Sequence, residues 1–303
     1  MKAECKPEDL LEQALLLSKA MKGLGTNEKL LIQVASAHNH IDRFAIQQQY
    51  LASTGTELQK HFKSELSGNM CTLFQSLFQD RYLYWCNAIH TALTKNESKH
   101  LINLILLLSP ADTVQVSAHY FKLFKATLTQ ALNTHLGNKD WEKLLKAWVV
   151  STKSLSLNAT ETAEKLYKAA KGAGTDEDQF VAVLCNCSKE NYAGIDSAYF
   201  GQYGKKLADV IKSEFTLRSE IAFLTAHYLQ LGVVQGVAYQ LYAAMKGLGT
   251  DDDSLISATA LYQDQFKGAE IVQAYAQFGD LKKDFKGDLS GKYEDAVLAL
   301  WGL

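Results

Sequence analysis

The residues of this chain that could do chemistry come in repeated sets. The tetrapeptide Gly-x-Gly-Thr occurs three times, as Gly23-Leu24-Gly25-Thr26, Gly172-Ala173-Gly174-Thr175 and Gly247-Leu248-Gly249-Thr250. Each copy follows a lysine and leads into Asn or Asp and then an acidic residue. A carboxylate stands at a near-constant distance downstream: Glu65 is 40 residues after Gly25, Glu214 is 40 after Gly174 and Asp288 is 39 after Gly249. Two glycines two apart let a turn aim successive backbone carbonyls at one point, and a carboxylate from a distant loop completes an oxygen-only donor set. Hard cations, calcium above all, take such sets. The ligands expected are the carbonyls of Met21, Gly23 and Gly25 with Glu65, of Ala170, Gly172 and Gly174 with Glu214, and of Met245, Gly247 and Gly249 with Asp288. One anionic ligand with positions left for water binds calcium weakly alone, at roughly 10⁻⁴–10⁻³ M. An open position accepts a phosphate oxygen, and three such sites on one face add by multivalency.

One Gly-x-Gly-Thr alone reads better as a turn between helices than as half of a metal site. It is not a phosphate cradle of the P-loop kind, because no Gly-Lys-Ser/Thr follows, and no Asp-x-Asp-x-Asp-Gly loop marks an EF-hand. The turn accounts for the glycines and threonine but not for the acid. The spacing of the loops extends the pattern. Gly23 and Gly172 are 149 residues apart and Gly172 and Gly247 are 75 apart, which places a missing copy near residue 97. Thr94-Lys95-Asn96-Glu97-Ser98 keeps the Asn-Glu step there but has no glycine, and the matching acid position holds His135. Leu66, Leu136, Phe215 and Leu289 follow the four acid positions, and Phe78, Trp148, His227 and Trp301 stand thirteen residues after them. The chain is four copies of a ~75-residue unit.

The elements that must position these residues are helical. Only Pro7 and Pro110 occur in 303 residues, and helix interiors exclude proline. Leu10, Leu11, Ala14, Leu15 and Leu17 share a face, and Leu30, Leu31, Val34 and Ala35 begin the next helix. Gly23 is expected at C′ of the first helix. Thr26, Thr175 and Thr250 are expected to be N-caps of the second, with Asp178 and Asp253 as acidic capping-box residues. Ser109 followed by Pro110 marks a further start, and Ser67-Gly68 and Ser290-Gly291 punctuate the same point in two units. No alternating strand is evident, so the expected fold class is all-α.

A net charge of −2 gives no attraction to nucleic acid or anionic lipid, so an anionic surface would have to be bridged. The polar start excludes a secretory leader, no Met-Gly start allows myristoylation, and Leu101–Leu108 is too short to span a bilayer. Five cysteines without CxxC spacing suit reduced, buried thiols of the cytosol. His38-Asn39-His40 is expected to be a polar loop and Trp141, Trp148 and Trp301 core residues, while Lys205-Lys206 and Lys282-Lys283 read either as solvated helix ends or as an aid at a lipid surface. Nothing resembles a catalytic set.

With these motifs the chain resembles the annexin family. The likeness lies in Met-Lys-Gly-Leu-Gly-Thr-Asn-Glu, Lys-Gly-Ala-Gly-Thr-Asp-Glu and Met-Lys-Gly-Leu-Gly-Thr-Asp-Asp, paired with segments such as Lys63-Ser64-Glu65-Leu66-Ser67-Gly68. It implies four repeats of about five helices in a curved disc: a short head at 1–7, then repeats at 8–79, 80–150 (degenerate, without a calcium loop), 158–229 and 233–303. It further implies reversible, calcium-dependent binding to acidic phospholipid at the inner face of the plasma membrane, with Ca2+ as the cofactor, no enzymatic activity, and a monomer or weak self-association. Secondary calcium positions implied in the same way are Thr26 with Glu28, Thr175 with Glu177, and Thr250 with Asp252. The chain departs from the pattern in lacking an arginine after Ser36, and unit four is one residue short before Asp288. Asp80-Arg81, Asp140-Trp141-Glu142 and Lys146-Ala147-Trp148 are similar to the alpha-giardins, a divergent protist branch associated with the plasma membrane and with the flagellar and disc cytoskeleton. That likeness supplies the alternative expectation, a cytoskeletal scaffold that binds tubulin or itself.

Overall fold

The structure, a computed structural model, describes residues 6–23, 25–171, 174–247 and 249–303. Among them are twenty helices and no strand, only an isolated bridge between Leu155 and Cys187. The helices fall into four successive sets of five. The first is α1 (Pro7–Ala20), α2 (Glu28–Ala37), α3 (His40–Thr54), α4 (Leu58–Glu65) and α5 (Gly68–Leu77). The second is α6 (Arg81–Thr94), α7 (Ser98–Leu106), α8 (Pro110–Phe124), α9 (Leu128–His135) and α10 (Asp140–Val150). The third is α11 (Ala159–Ala170), α12 (Glu177–Asn186), α13 (Lys189–Tyr203), α14 (Leu207–Glu214) and α15 (Leu217–Leu231). The fourth is α16 (Val233–Met245), α17 (Asp252–Tyr262), α18 (Gly268–Tyr275), α19 (Leu281–Asp288) and α20 (Gly291–Trp301). The all-α expectation and the repeat of five both hold.

The chain divides into two compact units, Met1–Tyr84 with Leu241–Leu303, and Trp85–Gln240. In the first, α1 lies against α2 and α3, α17 against α5, and α2 against α20. Phe62, Phe74 and Phe78 form a buried aromatic cluster there, with Phe62 5.5 Å from each of the other two rings. In the second unit α11 packs on α13, α15 on α7 and α10 on α12. Phe215 stacks on Phe223 at 4.0 Å, with Phe180 edge-on at 5.4 Å to Phe215. Burying one such ring contributes about 1.5–3 kcal/mol. Trp85, Trp141, Trp148 and Trp301 are all buried, as core residues should be.

Local starts and stops follow the side chains. Ser109 caps α8 by accepting from the Asp112 amide at 3.1 Å, with Pro110 at the first helical position. Asn39 caps α3, so the His38-Asn39-His40 stretch is a helix start. The fourth set is built differently at its centre. Its α18 has 8 residues where α3, α8 and α13 have 15 each. The connection from α17 to α18, residues 263–267, is correspondingly longer than the two-residue link from α2 to α3. The single missing residue before Asp288 is thus the net of several differences: α17 is one residue longer than α2, the connections before and after α18 are three and two residues longer, and α18 is seven shorter than α3.

The longer connection brings in Asp264, which is buried and meets Arg43 of α3. The Arg43 guanidinium is fully buried, donating to the carbonyls of Leu77 (3.2 Å), Ala35 (3.2 Å) and His38 (2.5 Å), with Asp264 at 3.5 Å. An arginine therefore does sit on the end of α2, supplied by α3 and not by the residue after Ser36. Burial pulls Arg43 down to about 10, against the raising effect of Asp264 and Asp42. Burial also works to raise Asp264, but the hydrogen bond from His40 (3.0 Å to its Nδ1) and the Arg43 charge outweigh it and hold the carboxyl well below the usual range. A carboxyl depressed by folding contributes stability that is present above its unfolded value and lost as pH falls toward the folded one. Asp264→Asn takes from buried Arg43 the carboxylate 3.5 Å away, so it is expected to lower stability at pH 7 by about 3–5 kcal/mol. The gap between variant and wild type then narrows as pH drops below about 4. Urea unfolding at pH 7 and pH 3 measures both.

Candidate metal centres

Each glycine loop is closed by the same backbone bond. The amide of Asn27 donates to the Ala20 carbonyl at 2.8 Å, that of Asp176 to Ala169 at 2.9 Å and that of Asp251 to Ala244 at 2.8 Å. The bond engages the last carbonyl before the loop in each case, so Met21, Ala170 and Met245 are the first loop residues beyond it. Asn27, Asp176 and Asp251 are also the N-caps of α2, α12 and α17, their side chains accepting from Leu30, Gln179 and Ser254. This corrects the expectation for the threonines, which stand one residue earlier and cap nothing. Asp178 and Asp253 consequently sit one position short of N3 and form no capping box. Asp178 pairs instead with Lys143 at 3.0 Å on the surface.

Freed from capping, the threonines reach the distant acids. The Thr26 hydroxyl donates to Glu65 Oε2 at 3.0 Å, Thr175 to Glu214 Oε2 at 2.9 Å and Thr250 to Asp288 Oδ2 at 3.1 Å. The acids are the last residues of α4, α14 and α19, three helices of 8 residues each. The next residue fixes each end: Leu66, Phe215 and Leu289 bury their side chains, and their amides bond back to Phe62, Ile211 and Phe285. An acid followed by a large apolar residue is therefore the local signature of the position. The shorter Asp288 side chain is exposed, while Glu65 and Glu214 are half-buried.

The glycines serve conformation and not space. Gly23 (φ +114) and Gly25 (φ +84) have positive φ, as do Gly174 (+109), Gly247 (+112) and Gly249 (+80), and a Cβ on any of them would meet nothing within 4 Å. A side chain would fit there, but the backbone would resist it. Gly23 lies one position beyond the expected C′, because Met21 is the C-cap of α1. Gly172 lies outside the described residues. Glu28, Glu177 and Asp252 are the first residues of α2, α12 and α17, beside the threonine loops. The donor chemistry is all oxygen and open to solvent, which fits a hard cation.

The second set differs in length as well as in residues. Its closing bond runs from the Glu97 amide to the Ala92 carbonyl at 2.9 Å, so the loop is two residues shorter than in the other three. Glu97 holds the N-cap position of α7 that Asn27 holds in α2, and Asn96 is left-handed at φ +59. The Asn-Glu step is thus out of register with the other three. His135 ends α9 but turns its Nδ1 to the Ala131 carbonyl of its own helix at 2.9 Å. Gly68 and Gly291 open α5 and α20 with φ +54 and +62, and in α15 the same position is Leu217 at φ +52.

The family model described as Annexin matches residues 12–77, 161–224 and 236–300, the three stretches that carry the loop, threonine and acid. Human annexin A7 is 29% identical over 97% of this chain, and the chain spans only 62% of that relative's length. Human annexin A4 is 28% identical over 96% of this chain and 94% of its own. Chicken annexin V superposes with a TM-score of 0.86 at 25% identity, covering 99% of this chain and 98% of its own. Calcium-bound alpha-14 giardin superposes at 0.88 over 96% and 99%, and its 21% identity makes that a likeness of fold.

Because the second loop is short and has Asn96 in place of threonine before its N-cap, restoring the acid alone cannot rebuild its counterpart. His135→Glu is expected to leave the calcium stoichiometry of the protein unchanged in a calorimetric titration. One additional site in that variant would show that loop length is irrelevant.

Proposed function

The chain belongs to the annexin family, a family of calcium-dependent phospholipid-binding proteins, and on that premise we propose that it binds acidic membranes through three calcium-bridged loops. The observation that carries this reading is the threonine-to-carboxylate hydrogen bond, present at Thr26–Glu65, Thr175–Glu214 and Thr250–Asp288. The residues that would hold the ion are the loop carbonyls of Met21, Gly23 and Gly25 with Glu65, of Ala170, Gly172 and Gly174 with Glu214, and of Met245, Gly247 and Gly249 with Asp288. Thr26 with Glu28, Thr175 with Glu177, and Thr250 with Asp252 are secondary positions. Calcium, when bound, supplies a positive charge that the loop shares with a lipid phosphate.

The remaining work belongs to the chain. Each threonine donates to one carboxylate oxygen and not to the other. The glycines hold the backbone in a conformation that other residues resist. Beside the third loop, Lys165 and Lys168 line the same depression as Gly174 and Asp176, which favours an anionic headgroup there. No helix among the described residues is long and apolar enough to cross a membrane, so attachment on this reading is peripheral. The inner face of the plasma membrane is the surface proposed.

Sedimentation with phosphatidylserine vesicles tests the reading. Binding is expected with calcium and release with chelator; binding indifferent to chelator contradicts it. Glu65→Gln and Glu214→Gln each remove the one anionic ligand of a site, and each is expected to raise the calcium needed for half-maximal binding by about 10-fold or more. Co-pelleting with microtubules in chelator would instead favour the cytoskeletal alternative.

A further inference from the structure

At residue 217 the fold's recurrent left-handed helix start carries a leucine instead of a glycine. It adopts φ +52, a conformation that glycine takes freely and leucine takes only against steric resistance, and the matching positions of two other repeats are Gly68 and Gly291. Its side chain is 78% exposed, the most exposed large apolar side chain among the described residues. An exposed leucine is ordinary by itself. A leucine that is both left-handed and in water, at a position where its sister repeats use glycine, gains nothing from packing that would offset the strain.

Its neighbours hold it in place. Phe215 is buried against Phe223, and the Arg218 guanidinium donates to the Ser98 hydroxyl. The backbone at 217 is thus fixed from both sides while the side chain points away from the core. Such persistent strain is a pointer to function. Glu214 lies three residues back, so at most about 11 Å of chain separates Leu217 from the third centre. A surface that brings a phosphate oxygen to that centre therefore passes within about that distance of the Leu217 backbone. Exposed Arg218 follows it and exposed Lys212 stands in the last turn of α14, a pairing of basic and apolar groups suited to the boundary between headgroups and acyl chains.

We propose that Leu217 is a membrane-inserting side chain, entering the headgroup–acyl boundary of an acidic bilayer when the third loop engages lipid. The inference rests on the calcium-dependent reading above and adds to it an apolar contact in one repeat. The glycine at 68 and 291 offers no equivalent.

Vesicles of phosphatidylserine and phosphatidylcholine carrying bromine on the acyl chains test it, using the full chain with Leu217→Trp and Leu217→Gly. The four native tryptophans are buried, so fluorescence quenching by the bromine reports on position 217. Leu217→Trp is expected to be quenched in calcium and restored by chelator. Leu217→Gly is expected to partition about tenfold less at limiting calcium, equivalent to about 1.4 kcal/mol, with a thermal midpoint in the absence of lipid equal to or above that of wild type. If Leu217→Trp is quenched no more than wild type and Leu217→Gly partitions normally, insertion is refuted while calcium-dependent binding stands. A lowered midpoint for Leu217→Gly would make the leucine structural and refute insertion as well. Failure of wild type itself to bind in calcium would overturn the underlying reading and this one together.

Discussion

The candidate centres depend on one hydrogen bond, from a threonine on a glycine loop to a carboxylate about forty residues away. Each partner alone is unremarkable: a threonine beside a helix start, and an acid at a helix end. The bond joins two helix pairs that are otherwise separate in the chain. It constrains both sides. The threonine has to be released from capping, which the Asn or Asp after it takes over. The acid has to be held at the end of a short helix, which the buried Leu or Phe after it achieves. Shortening the loop by two residues, as in the second set, abolishes the register that lets the two meet.

Around that constraint the four sets vary freely. The ends of the second helices are satisfied by different side chains in different repeats. Arg43 serves α2, Trp148 donates to the Leu108 carbonyl just beyond α7, and Gln230 donates to the Leu184 and Cys187 carbonyls at the end of α12. In the fourth set Trp301 donates to Thr259 Oγ1 at 3.1 Å. In the first three sets the requirement is a buried donor for carbonyls that the helix leaves open, while in the fourth the donor meets a side-chain hydroxyl; the residue type is not fixed. Arg43 is the charged solution, and it requires Asp264 and with it the longer connection of the fourth set.

The spacing of glycines and acids made the repeat and the pairing legible before any coordinates. Burial of the tryptophans and the absence of strands followed from composition and periodicity. The details that were not legible have physical causes. Thr26 and Asn27 are both good N-caps, and the choice between them is decided by Glu65, a tertiary neighbour. The missing residue before Asp288 hid a longer connection and a shorter α18, because opposed length changes cancel in a spacing count. The Asn96-Glu97 match misled for the same reason: identity without register. Arg43 was invisible because it reaches the end of α2 from a different helix. The sign of φ at Leu217 cannot be read from its residue type, and it emerges only when the backbone of Gly68 and Gly291 stands beside it.

The central claim is that loop threonine and distant acid form one site, and a double-mutant cycle on Thr26 and Glu65 tests it most directly. Half-maximal calcium for vesicle binding would be measured for wild type, Thr26→Val, Glu65→Gln and the double variant, all in a background where Glu214 and Asp288 are replaced by amides so that one centre is read. If the threonine acts by holding the carboxylate, the double variant needs no more calcium than Glu65→Gln alone. Independent, additive effects of the two substitutions would contradict the account.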